Sequence, residues 1–326
     1  MSRRLLLLAV LVAAALLLSV AVGASGLSLA EVLRALARRG DETARTIVWE
    51  LRLPRAVLAL LTGGALALTG AVFQALLRNP LAEPYVLGVA GGAAVGAVAA
   101  VVLGIAAALP GAVPLAALAG AVGAILLVFR IAARTAGALD TRVLLLAGVV
   151  VGAFFNAIIL LLLTLADVES FRSAVFWMMG SLAGASWHAA GLLALYLAPA
   201  VAVLLSLARA FNAIAVGEET AHHLGIRVER VKWLGYFLAS LAVGACVAVC
   251  GVIGFVGLIV PHTIRLLWGS DHRLLLPASV LAGGVFLLLA DTAARTVAPP
   301  AELPVGVITA VVGVPIFVVL LRRSLA

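Results

Sequence analysis

A chain of 326 residues that is 65% hydrophobic, with mean hydropathy +1.26, is not a soluble domain: it carries 11% charged residues where soluble domains carry about 25%. Its formal charge of +8 is spread over short connections between apolar runs, with no basic stripe interleaved with aromatics, which excludes nucleic acid as a partner. The two cysteines, Cys246 and Cys250, share one apolar run as small packing residues of a helix do, and indicate neither a disulfide nor a metal pair.

In chain order, Arg3 and Arg4 precede an apolar run that opens at Leu5 and is longer than the core of a secretory signal. It reads as a first span with a cytoplasmic N-terminus. Ser28-Leu29-Ala30-Glu31 is a capping box expected to open a helix reaching Arg39. In Arg52-Leu53-Pro54-Arg55 the proline is placed for the first turn of a second span, which stops before Asn79-Pro80-Leu81-Ala82-Glu83-Pro84. A third span starts near Tyr85 and carries Gly88, Gly92 and Gly96 at four-residue spacing, which lets a neighbouring helix come close. The fourth runs to about Ile131 and the fifth from Val143 to Leu165. Residues 168–187 are too polar and too short to cross, and read as an interfacial outer helix.

The sixth and seventh spans, Ala189–Ala208 and Trp233–Cys250, flank a polar island at about 210–230 that no hydrocarbon could accept. Within it Gly217, Glu218, Glu219, Ala221, His222, Leu224 and Gly225 spell a short helix. Acids fill its first turn, histidines its last, and glycine follows the end. Such a helix is either a handle for a partner or a solvated hairpin. Gly251–Trp268 is a short, broken eighth span, in which His262 beside Pro261 reads as a hydrogen-bonded helix-end residue rather than a ligand. A ninth span ends near Asp291 and Arg295, and a tenth runs from Val305 to Leu321. About ten spans put both termini on one side, the cytoplasmic one by the excess of Lys/Arg there, and leave residues 1–326 as a single transmembrane domain. Gly70 precedes Pro80, and Gly251 precedes Pro261, by the same ten residues, a faint echo of an inverted repeat.

The chain lacks a Gly-rich phosphate cradle, a zinc-binding His-Glu-x-x-His and a nucleophile elbow, so neither ATP hydrolysis nor a resident metal or other cofactor is expected of it. Ionisable residues expected inside the membrane are few, mainly Asp291 and Glu83, which argues against an ion-coupled carrier.

Several segments together resemble the FecCD-type permease subunits of ATP-binding cassette (ABC) importers for ferric siderophores, haem and cobalamin. They are Arg52–Arg55, Asn79–Pro84, Leu145–Gly148, Trp177-Met178-Met179-Gly180, Gly217–Gly225, Gly254–His262, Asp271-His272-Arg273 and Glu302–Gly306. The resemblance implies an all-α, polytopic, type II ABC importer permease in the bacterial inner membrane. It implies pairing with a second copy, with two cytoplasmic ATPases that hold the ATP and magnesium, and with an extracytoplasmic binding protein. It assigns Gly217–Gly225 to ATPase coupling, Arg52, Arg55 and Arg295 to docking of the binding protein, and Asp140, Thr141 and Arg142 to the inner gate. An iron chelate, siderophore or haem, is the first expectation for the cargo. Cobalamin is the alternative, and an ion-coupled secondary carrier is the competing class.

Overall fold

The computed structural model describes residues 2–23, 26–109, 111–136, 140–299 and 301–325, and every regular element among them is helical. The chain opens with α1 (Ser2–Ala21), α2 (Leu29–Leu36) and α3 (Glu42–Thr46), and a π-helical turn at Ile47–Arg52 joins α3 to α4 (Leu53–Leu76). A re-entrant stretch then leads into α5 (Val89–Val102), followed by the single turn α6 (Ile105–Ala108), α7 (Ala112–Ala136), α8 (Thr141–Leu165) and α9 (Val168–Met178). The second half holds α10 (Trp187–Ser206), α11 (Ala208–Val216), α12 (Glu218–His223), α13 (Val228–Cys250), α14 (Val256–Trp268), α15 (His272–Thr296) and α16 (Val305–Leu325). Among the described residues seven helical stretches are long and apolar enough to cross a membrane, and three shorter apolar helices (α5, α14 and the apolar part of α16) stand at the third, eighth and tenth expected spans.

The bundle is built around α4. Its apolar window is 83% buried, against 22% for α1 and 28% for α8 and α10, which face outward. Lipid gives helices no hydrophobic reason to associate, so close backbone approach has to supply the contact. Gly63 of α4 and Gly283 of α15 provide it: a Cβ on either would run into the other's carbonyl oxygen. Gly92 and Gly96 do the same for α5 against Gly120 and Ala116 of α7, as their spacing anticipates.

Pro54 stands in the first turn of α4, as its place in the sequence suggests, but the helical path does not begin there: it runs on from Glu42 to Leu76, and the π turn before the proline lets the Leu53 amide reach back to the Val48 carbonyl. That wider turn makes room for a ring with no N–H to offer. The capping box at Ser28 forms, with Glu31 bonded back to the Ser28 amide at 2.7 Å, but its helix ends at Leu36 and Arg38 turns into a left-handed conformation.

Two spans are broken at mid-membrane. A Cβ on Gly257, near the start of α14, would touch Pro84 and the Leu66 carbonyl. Leu66 lies ten residues from the end of α4, which is ~15 Å at 1.5 Å per residue, or half of a ~30 Å hydrocarbon core. From this level α5 runs away from the end that carries the N-terminus and packs near Trp177 and Met178 of α9, and α14 runs the other way to Trp268, whose carbonyl accepts from Arg4. The breaks are tied together. Glu83 Oε1 accepts from the Phe255 amide at 2.9 Å, and the Tyr85 hydroxyl both donates to the Ile253 carbonyl (2.7 Å) and accepts from its amide (3.1 Å). The two halves therefore do run in opposite directions, but not in the register of the glycine–proline echo. Gly70 sits within α4 and Pro261 within α14, whereas the breaks fall at residues 77–88 and 251–255.

Candidate functional site

The polar island folds into α11 and α12, two short helices at the end of the bundle that carries the chain's N-terminus. Phe211 and Ile214 on α11 and Ala221 on α12 are fully buried and seat the pair on the bundle. What remains outside is a knob: Glu219, His222, His223 and Gly225 are exposed, and with them the apolar Val216 (76% exposed) and Leu224 (68%). Solvent does not favour two large apolar side chains on so small a projection, which suits a covered surface.

The knob is firmly terminated. The Gly225 amide donates to the His222 carbonyl (2.9 Å) and the Ile226 amide to that of Ala221 (3.1 Å), the paired bonds of a Schellman stop, with Gly225 at φ +78°. Lys232, almost wholly buried on α13, reaches Glu218 at 3.2 Å and Glu229 at 3.6 Å. An ammonium at that depth needs a carboxylate, so Glu218 is fixed to the bundle while Glu219 points free.

A residue that sequence reasoning passed over holds this end to the ninth span. Asn212 of α11 donates through Nδ2 to Asp271 (2.8 Å), and its Oδ1 accepts from the His272 amide (2.8 Å) and lies 2.7 Å from His272 Nδ1. Hydrogen bonds from Arg273 and Asn212 hold the Asp271 carboxyl well below the usual carboxylate range. An isolated asparagine in a helix carries no signal of its own; only the fold brings it to Asp271.

At the opposite end, Arg52, Arg55 and Arg295 lie together and line a cavity of about 530 Å³ with Glu302. They are not a ring of free guanidinium groups. Arg55 grips Asp291 through Nε and Nη2 (3.0–3.1 Å) and Glu302 through Nη1 (2.8 Å). Arg295 bonds Asp291 (3.2 Å), the Ser19 carbonyl and the Ser19 hydroxyl. Arg52 donates to the carbonyls of Val20 and Ala21. Asp291 is completely buried, so three cations share two carboxylates and the open backbone end of α1.

Of the three residues expected at an inner gate, Asp140 caps α8, accepting from the Arg142 and Val143 amides at 2.7 and 3.3 Å. The Thr141 hydroxyl lies 3.5 Å from that of the buried Tyr236, and Arg142 is exposed. His262 differs from expectation: it lies inside α14, 5% exposed, and among the described residues neither ring nitrogen has a partner. Among the described residues no group of three or more His, Cys, Asp or Glu could hold a metal ion.

With this arrangement in view, the family model of the FecCD transport family matches residues 10–323. The chain is 47% identical over 281 residues to the cobalamin import system permease protein BtuC of Halobacterium salinarum, covering 86% of this chain and 74% of that protein. It is 43% identical over 322 residues to the vitamin B12 import system permease protein BtuC of Salmonella typhi, covering 99% of this chain and 95% of that one. A solved structure described as an inward-facing conformation of a metal-chelate type ABC transporter superposes with a TM-score of 0.89 at 32% identity, over 99% of this chain and 100% of that one. The bundle has the fold of the type II ABC importer permeases, and the chain belongs to the FecCD transport family.

Proposed function

We propose that this chain, an ABC importer permease and a multi-pass protein of the cytoplasmic membrane, translocates a metal chelate. It works as a pair of identical copies with two cytoplasmic ATPases and an extracytoplasmic binding protein. The observation that carries the coupling is the terminated knob of α12, with Glu219, His222 and Leu224 exposed around a buried Ala221. A rigid projection can pass a push from an ATPase to the spans it is pinned to; a loose hairpin cannot. Arg52, Arg55 and Arg295 receive acidic groups of the binding protein at the outer cavity, where guanidinium forks bind carboxylates bidentately. Asp140, Thr141 and Arg142 lie at the inner gate, and ATP and magnesium are held by the ATPases.

An iron chelate, siderophore or haem, is compatible with the family. The two relatives named for cobalamin and vitamin B12 favour cobalamin as the cargo. The coupling assignment is tested by Glu219→Arg, which leaves the Glu218–Lys232 pair intact and abolishes uptake in cells while membrane insertion and protein level stay normal. Uptake at the unaltered rate would remove α12 from the transmission path. Competition of labelled cobalamin, haem and ferric siderophore for uptake by the same cells decides the cargo.

A further inference from the structure

Two cavities follow one another along the seam between α10 and α15, away from the knob, the outer cluster and the broken spans. The first, about 370 Å³, is apolar and walled by side chains such as Val12, Leu61, Ala194, Ala198, Val201 and Val280, at the depth where Gly64 meets Val280 near mid-membrane. The second, about 380 Å³, lies nearer the knob and is lined by Leu205, Ser206, Ala208, Arg209, Arg273 and Pro277. One helical turn separates them on each wall, Val201 to Leu205 on α10 and Val280 to Pro277 on α15. The stretch from Ala194 to Ser206 covers ~18 Å at 1.5 Å per residue, close to one leaflet of a ~30 Å hydrocarbon core. The crevice is therefore apolar along a leaflet's depth and cationic at that leaflet's surface.

Charge sets the occupant. Arg209 is exposed and has no carboxylate partner among the described residues. Arg273 gives Nε and Nη2 to Asp271, which also accepts from Asn212, so the carboxylate is already shared and the other edge of the guanidinium faces outward. A zwitterionic headgroup offers the pair a phosphate but brings its own cation beside it, whereas a headgroup of net negative charge meets the two arginines without that repulsion. We infer that this seam binds an anionic phospholipid, its phosphate between Arg209 and Arg273 and an acyl chain along the groove beside Ala198.

The test uses the full chain in nanodiscs of phosphatidylcholine with a minor fraction of phosphatidylglycerol, and counts retained lipids by native mass spectrometry. Wild type retains phosphatidylglycerol in preference to phosphatidylcholine. Arg209→Gln with Arg273→Gln lowers that preference about tenfold, Arg209→Lys largely keeps it, and Ala198→Phe, which fills the groove from an exposed position, displaces the lipid with the arginines intact. Equal retention of both lipids, or an unchanged preference in the double variant, overturns the assignment. Displacement by millimolar inorganic phosphate would reassign the arginines to a free anion, and loss in the arginine variants but not in Ala198→Phe would remove the acyl chain from the groove. Disulfide pairing between copies carrying Ala198→Cys would show the seam to be covered by a second copy. Each of these last three also overturns the lipid site.

Discussion

Single residues in this protein matter most where a charge has been carried into the bundle. Asp291 shows why. It is completely buried on α15, and two guanidinium groups converge on its carboxylate, Arg55 from α4 and Arg295 one turn along its own helix. Removing one partner of a buried pair leaves the other charged and desolvated, which costs more than the pair contributes when intact. Asp291→Asn leaves both arginines short of an anion, with only Glu302 remaining near Arg55. The expected loss is ~3 kcal/mol or more of stability, read as a fall in the thermal midpoint of the detergent-solubilised protein. Replacing Arg295 by Met in the same background, which removes one stranded cation, recovers part of it. A midpoint unmoved by Asp291→Asn would mean that the cluster is solvated and contributes little. The same network bears on the proposed docking: a carboxylate arriving there would meet three cations that two internal carboxylates only partly neutralise.

At the level of elements, the sequence announces what is local and is silent about what is not. Ser28, Asp167 and Asp271 cap their helices through side-chain oxygens, and Gly225 stops α12, all in patterns a reader can find along the chain. Near-uniform apolar runs give span positions because length against membrane thickness is the whole signal. The same uniformity hides the contacts. Nothing local distinguishes Gly63, which meets Gly283 across the bundle, from Gly123, which meets nothing within reach. Asn212, Glu83 and Tyr85 make their bonds to residues about 60 to 170 positions away, and the π turn before Pro54 shows only as a proline in a plausible place. The knob is intermediate: its helix was legible, but its fixture to Lys232 and Asp271 was not. The helix pair that holds the centre gives the prediction at this scale. Gly283→Leu drives a side chain into the Gly63 carbonyl and the Ala67 methyl, which are backbone and short side chain with little freedom to yield. Overpacking of this kind costs about 1–3 kcal/mol or more, seen as a lower yield of folded protein and a lower thermal midpoint. Gly123→Leu on α7, facing open space, leaves both unchanged, and equal effects of the two substitutions would refute the close α4–α15 contact.

For the molecule as a whole, the question is where the work of transport is done. Broken helices with an acidic residue between them are a device that ion-coupled carriers use for binding, and this bundle has both, in α5, α14 and Glu83. Here their polar groups are turned on each other: Glu83 on the Phe255 amide and Tyr85 on both polar groups of Ile253. Such a junction fixes two half-spans against α4 and has few groups left over for a coupling ion. Asp291, completely buried, is committed to two arginines at the end of the bundle opposite the knob. On the function proposed above, a bundle so arranged opens and closes a path for a large chelate, and the stroke enters through α12 rather than from an ion gradient. Purified chain in proteoliposomes, given a proton or sodium gradient and its binding protein loaded with chelate, is therefore expected to accumulate no ligand above the equilibrium level. Adding the companion ATPases with ATP and magnesium inside the vesicle mimic of the cytoplasm starts uphill uptake. Accumulation driven by the gradient alone would place the energy source inside this polypeptide and make Glu83, with the two half-helix starts beside it, the first place to look for the ion.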